Sequence, residues 1–447
     1  MSSLKIGFSR VLITPPMGVS MAGYFVERSA DGVLDDLEAN VVTALDGEKK
    51  AVVISVDFLH MNTPLNQRYV DKICRHHGLD PASVLIHCTH THTGPQDDVN
   101  KGGDGAYLEY LGRKLSDAVG FALLEAKPVI QIGTGMEEAK NVGFIRRFRM
   151  KNGKIRTNPG IGNPDILAPI GVLDENARIA RICREDGKEL VLVNFGVHPD
   201  TVGGTKITAD YPRFVRETVE AVLAVHCVFF NGAQGDVNHV NVQAKGGDLN
   251  GLELESFDDV ARGYEHAKHM GRKIAAAAIG IYGKVNFSED KTISYHQITT
   301  RVDAQKATPE QRKQAHLYHD LHVAGKDSEI PFKGMELTTV VAEAGRIVRL
   351  ENGPSYFPLT ISGVRLGPVD FVGIPGEPFA GIGRGIREQS GFPCAFVCCL
   401  TNGSAGYFPM REAYDEGGYE ARSSQFSPDV ADTLIETGVQ VLRHIKT

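Results

Sequence analysis

The chain has 447 residues, 42% apolar and 23% charged, an ordinary balance for a globular enzyme, whether one large unit or about three smaller domains. A net charge of −7 and a pI near 6.2 argue against nucleic acid as the main partner, because neutralising phosphates needs a basic face. No apolar run approaches the ~18 residues of a membrane span, the first residues lack the apolar core of a secretory signal, and the seven cysteines follow no disulfide or zinc-ribbon spacing. The expectation is a cytoplasmic protein without membrane insertion.

In chain order, Ala51 to Asp57 (AVVISVD) reads as a buried strand, and Leu65 to Gly78 as a helix closed by glycine. Ser83 to Cys88 is a second strand, followed by a Gly/Asp-rich loop and a long helical pattern from Tyr107 to Ala126. Between Arg146 and Thr157 the sequence predicts a hairpin with Asn152-Gly153 as a two-residue turn. Leu190 to Val197 is a strand, and Asp210 and Pro212 open a helix that runs to about Ala224. His226 to Asn231 is a strand, 243–258 a polar loop that could border a site, and Tyr264 to Tyr282 a helix. Residues 290–365 read as β-rich apart from a charged helix over Pro309 to Val323. Val369 to Ile374 and Ala395 to Leu400 are strands, and a helix begun by Ser427-Pro428-Asp429 closes the chain. No internal repeat is visible. The expected class is α/β, or mixed α+β, with a central mixed β-sheet region flanked by helices. Residues 1–447 are expected to form a single catalytic domain, with a β-rich sub-region at 290–365.

Five buried-strand runs end in an unusual polar group: His90-Thr91-His92, His198, Gly235-Asp236-Val237-Asn238-His239, Gly376-Glu377 and Gly406-Tyr407. Ligands of open α/β sheets bind at the carboxyl ends of strands, where loops converge over a rigid base. In extended backbone, residues i and i+2 share a face, so His90 and His92 can address one point. Zinc accepts neutral imidazole nitrogen and carboxylate oxygen, and lowers the pKa of its water toward ~7. His198 and Glu377 could supply further ligands. Taken singly, each has a plainer reading: His198 before Pro199 suits a turn, and Glu377 between Gly376 and Pro378 suits a solvated loop.

The hairpin carries Arg146, Arg147, Arg149, Lys151, Lys154 and Arg156. Alternation places Arg147 and Arg149 on one face, Phe148 and Met150 on the other. The pair reads as a guanidinium clamp for carboxylate or phosphate, or else as a solvated face. Asn158-Pro159-Gly160 and Asn163-Pro164-Asp165 form turns that could wall a polar pocket, and Asp97 and Asp98 are further polar candidates. This inventory suits a small, polar, anionic molecule better than a lipid.

At these positions the chain resembles the neutral, non-lysosomal ceramidase family. Thr89-His90-Thr91-His92-Thr93-Gly94-Pro95 is similar to its T-H-T-H-S-G-P motif, and Asn194-Phe195-Gly196-Val197-His198-Pro199 to its N-(F/W)-x-x-H-P segment. Ile374-Pro375-Gly376-Glu377 resembles V-P-G-E, Ala405-Gly406-Tyr407 resembles (A/T)-(G/H)-Y, and Tyr419-Glu420-Ala421 resembles Y-E-(A/G). The resemblance covers most of the chain and implies a zinc amidase, with Zn2+ held by His90, His198, Glu377 and Tyr407. It implies that His92 and Tyr419 stabilise the tetrahedral oxyanion. The arginine of an N-R-S-P segment corresponds to Arg146 or Arg147.

Two departures bear on the substrate. Asn238 stands where the family has a serine associated with catalysis; it can donate a hydrogen bond but offers no hydroxyl. The expectation is a catalytic domain without the immunoglobulin-like C-terminal domain of the ceramidases. The candidate catalytic residues are therefore His92, Tyr419, Arg146 and Asn238. Arg147, Arg149, Asp236 and His239 are candidates for substrate binding. The expected activity is zinc-dependent hydrolysis of an amide in a polar small molecule. The alternatives are an esterase or lactonase, a lyase or isomerase acting on a sugar-like or carboxylate substrate, and a non-catalytic metabolite-binding homologue.

Overall fold

Strands whose two faces are both apolar need cover on both sides. In the computed structural model, which describes residues 4–47, 49–242, 255–257 and 260–446, that cover comes from three sheets around a shared interior. The first sheet holds β1 (Lys5–Leu12), β2 (Glu38–Asp46), β3 (Lys49–Val56) and β4 (Val84–Cys88). Its pairings are antiparallel until the last, where β3 and β4 run parallel, joined through α1 (Thr63–His77) and followed by α2 (Gly105–Glu125). The second sheet repeats the pattern with β5 (Lys127–Glu138), β6 (Asn176–Arg184), β7 (Glu189–Phe195) and β8 (His226–Asn231). Here β7 and β8 are the parallel pair, α3 (Tyr211–Leu223) connects them, and α4 (Tyr264–Tyr282) follows.

The third sheet opens with β9 (Ile293–Asp303), after which a helical hairpin of α5 (Pro309–Val323) and α6 (Gly334–Glu351) precedes β10 (Tyr356–Leu366). The pattern then recurs: β11 (Val369–Gly373), the connecting helix α7 (Ala380–Ser390), the parallel β12 (Phe396–Cys398) and the closing helix α8 (Val430–Lys446). The first two sheets are continuous where Lys5 and Ile6 of β1 pair with Pro128 and Lys127. The three consecutive segments thus share one topology that the sequence does not display. What recurs is the direction and pairing of strands, not residue identity.

Period-two alternation sorts the side chains between cores. Val42, Val53, Leu192, Phe230, Val364 and Phe371 face the shared interior. Their strand neighbours point outward, Ile54 and Ile86 against α1 and α2, Ile179 and Val193 against α3 and α4, Val372 and Val397 against α7 and α8. Approach is close enough at Gly7 that a Cβ there would lie 1.8 Å from the Ala122 carbonyl oxygen of α2. The helix starts follow their caps: Asn62 accepts from the Leu65 amide and Asp104 from those of Ala106 and Tyr107. Gly78, in the left-handed region, ends α1. No helix among the described residues is long and apolar enough to cross a membrane.

Three local expectations change. The hairpin at Arg147–Met150 and Ile155–Thr157 turns through three residues, with Gly153 left-handed and its amide bonded to the Met150 carbonyl, rather than through a two-residue Asn-Gly turn. The region read as β-rich contains the eighteen-residue α6, whose Thr-Thr-Val-Val run favours strand but packs its apolar residues on α5. The polar loop expected at 243–258 lies outside the described residues except for 255–257, a short strand paired with Val260–Arg262.

A buried ion pair locks the first segment to the second. The Arg216 guanidinium of α3 donates to both oxygens of Asp57, at 3.0 and 2.6 Å, and its Nε lies 3.2 Å from Glu38. Asp57 also accepts from the Thr89 hydroxyl, next to His90. Burial pushes the Asp57 carboxyl up, and the Arg216 charge opposes it. Arg216→Met leaves that carboxylate buried and unpaired, and is expected to cost about 3–5 kcal/mol in urea unfolding. The exposed pair Arg384–Glu388 should be worth at most about 1 kcal/mol in the same assay.

Candidate metal centre

The parallel strand pairs aim their carboxyl ends at one region. Beyond β4, the amide of Thr89 donates to Val56 O and that of His90 to Phe58 O, which ties the loop to the end of β3. His90 itself has φ of 81°, in the left-handed region. His90 and His92 therefore converge through a turn at His90, not through strand pleating as the sequence suggested. Beyond β7, the His198 amide donates to Val237 O. Beyond β11 and β12, Glu377 and Tyr407 lie opposite each other in a short parallel ladder. Gly376 makes that approach possible, since a Cβ there would sit 2.6 Å from Gly406 O.

His90 Nδ1 lies 2.8 Å from Leu59 O and His198 Nδ1 lies 3.0 Å from Gln234 O. A carbonyl only accepts, so each imidazole carries its proton on Nδ1 and directs the Nε2 lone pair inward. Both lone pairs meet Glu377 Oε2, at 3.2 Å from His90 and 3.1 Å from His198. That oxygen is buried and has no hydrogen-bond donor. The Tyr407 hydroxyl lies 3.4 Å from His198 Nε2, and His92 Nε2 lies 3.3 Å from His90 Nε2. Donor atoms of His90, His92 and His198 fall within 4.8 Å of one another. Lone pairs gathered around an undonated carboxylate oxygen fit a divalent cation, and the nitrogen–oxygen set suits zinc.

The electrostatics favour neutral imidazoles at His92 and His198. Burial lowers the pKa of His198, with Arg146 adding to the effect, and holds His92 well below its usual value. The Tyr407 phenol is pushed up by burial and by Glu377, and the Arg146 charge works in the opposite direction.

Arg146 is a buried cation beside the cluster. Its Nη1 lies 3.4 Å from His198 Nε2 and its guanidinium 5.4 Å from the centre of the Tyr407 ring. Nη2 donates to Gly235 O and Nε pairs with Glu420 Oε1 at 2.7 Å. Glu420 is fully buried and accepts from the Thr157 hydroxyl through its other oxygen. Sequence reasoning passed over Glu420, although it stands beside Tyr419 in a quoted motif. The Tyr419 ring packs edge-on to Tyr407 with centres 5.6 Å apart. Tyr24 and Arg28 were also missed: the Tyr24 ring lies 5.3 Å from His92, and Arg28 donates to the His92 carbonyl. No spacing pattern announces them, because the 23–28 loop reaches His92 only through tertiary folding.

The other candidates stand apart from the ligand atoms. Arg147 and Arg149 do share a face, both reaching Glu416, and Phe148 and Met150 share the other. Arg147 is buried against Glu416 and Gly417 O, whereas Arg149 is 48% exposed in its side chain. Asp236 accepts from the Ala380 amide at the start of α7, and burial raises its pKa to about 6. The Asn238 side chain donates to Asn158 and accepts from the Val240 amide. His239 pairs with Asp200 at 3.1 Å. His87 is buried and tied at both ring nitrogens, to Cys399 O and the Asn231 amide. Asp97 accepts from the Asn62 amide, and Asp98 and Asp210 cap helices.

No family model matches this sequence, and neither does any curated protein. Solved structures do. A neutral ceramidase from Pseudomonas aeruginosa aligns with a TM-score of 0.72 over 99% of this chain and 74% of that one, at 16% identity. A ceramidase complexed with C2 gives 0.69 over 99% and 75%, at 15% identity. At such identities the likeness is one of fold, and the chain has the neutral-ceramidase fold over nearly its whole length.

Proposed function

We propose that this chain is a zinc-dependent hydrolase, a single catalytic domain that cleaves an amide bond in a polar small molecule. The observation that carries the reading is the undonated Glu377 Oε2, within 3.2 Å of two imidazole lone pairs that backbone carbonyls fix in place. His90, His198, Glu377 and Tyr407 are the residues that would hold the ion. Bound there, zinc supplies Lewis acidity toward a carbonyl group and toward water.

The chain's own residues supply the rest. His92, kept neutral by burial, donates from its ring to the oxyanion that develops at the attacked carbonyl, and Tyr419 donates from the adjacent wall. Arg146 keeps its charge beside Tyr407 and favours the ionised phenol. Glu420 fixes the Arg146 guanidinium, with Thr157 bracing its second oxygen. Arg28 and Arg262 lie 4.3 and 5.1 Å from the Tyr24 ring, and Asp200 pairs with Arg262 and His239. This charged wall beside His92 supports a polar substrate over a lipid chain. Asn238, held by Asn158, leaves no hydroxyl for a serine step and keeps ester or lactone hydrolysis as the second reading.

Purified protein is expected to carry about one zinc per chain. His90→Ala and His198→Ala should lose both the metal and turnover across a panel of amides and esters. A chain that retains no metal while both variants stay fully active would exclude the reading. Glu420→Gln should lower turnover about 10–100-fold by loosening Arg146, while atomic absorption still finds zinc. Unchanged kcat in that variant would remove Arg146 positioning from the mechanism.

A further inference from the structure

A cleft of about 380 Å³ lies between α1 and the third sheet. That volume falls in the ~300–1,000 Å³ range of small-molecule sites. None of its seventeen lining residues is charged, where the chain's 23% would place about four. Carboxamides come from Asn66, Gln67, Gln297, Asn402 and Gln425, and hydroxyls from the threonines and serines between them. Gln67, Gln297 and Gln425 donate to Asp71, Ser362 and Ala405 O and present their carbonyl oxygens as acceptors, while Asn66 presents a donor, a set that complements hydroxyl groups. Phe357 and Leu359 add an apolar surface.

Two further observations mark the cleft as built. Asn66 is 2% exposed, and its Nδ2 has no hydrogen-bond partner among the described residues. A buried unpartnered donor lowers stability unless a bound molecule meets it. The turn beside the cleft holds two non-glycine residues in the left-handed region, Leu400 at φ 43° and Asn402 at φ 58°. It is pinned by Asn402, which accepts from the Ile86 amide and donates to Val84 O. Pro375 and Ala405 complete the lining, each two residues before a proposed metal ligand, but none of the four ligands lines the cleft.

We infer that this cleft binds an uncharged, polyhydroxylated small molecule of monosaccharide size. Its uncharged lining rejects an acid, whose charge would be desolvated with no counter-ion. The site is independent of the metal chemistry proposed above.

The test is calorimetric titration of the whole chain with glucose, galactose, xylose, N-acetylglucosamine and myo-inositol, beside glucuronate and glucose 6-phosphate. At least one neutral compound should bind, with the acids weaker by about tenfold or more. Asn66→Leu should weaken that binding by about tenfold or more. Gln297→Leu, on the half-buried opposite wall, should do the same and covers the case in which Asn66→Leu folds poorly. His90→Ala should titrate like the parent, so failure of the metal reading leaves this result intact. The inference is overturned if no neutral compound binds, if the acids bind as tightly, if both cleft variants titrate like the parent, or if binding disappears with His90→Ala.

Discussion

Two imidazole lone pairs, each held within 3.2 Å of one buried carboxylate oxygen, repel it unless positive charge lies between them. The arrangement persists because backbone carbonyls of Leu59 and Gln234 take the far nitrogens and leave no rotation that would relieve it. Around that constraint the remaining polar groups fall into order. Arg146 screens Tyr407, Glu420 holds Arg146, and Thr157 and the hairpin that carries it hold Glu420. Buried charge at this density is tolerable only as a closed network.

The three-segment frame explains how the donors arrive together. Each segment ends a parallel strand pair over the same interior, so loops from different segments meet at one place. His90 comes from the fourth strand of the first segment and His198 from the third strand of the second. Glu377 and Tyr407 follow the third and fourth strands of the last. The carbonyl that orients His90 follows the third strand of its own segment, and the one that orients His198 follows the fourth strand of its own.

The strands, most helices and the strand-end positions of His90, His198, Glu377 and Tyr407 were legible because each is a local signal: an apolar run, a cap, a polar residue just past a strand. α6 was not, because its β-branched residues favour strand locally and only contact with α5 makes them helical. The repeat was invisible because pairing direction leaves no trace in residue identity. The His90 turn was misjudged because extended backbone is the default expectation past a strand, and only the bonds to Val56 O and Phe58 O impose the left-handed geometry. Tyr24, Arg28 and Glu420 needed the tertiary fold, since nothing in their spacing connects them to the histidines. The family resemblance supplied Tyr407 as a metal ligand, which donor chemistry alone would not suggest.

The donors' scattered origin couples the ion to the architecture. His90, His198 and the Glu377–Tyr407 pair belong to three separately built segments, so no one segment can form the complete donor set. An ion seated there would act as a clasp across all three, and its affinity would enter the stability of the whole chain by mass action. Occupancy would then measure assembly as much as readiness for chemistry: a chain with one segment out of place would lose the ion before it lost its secondary structure.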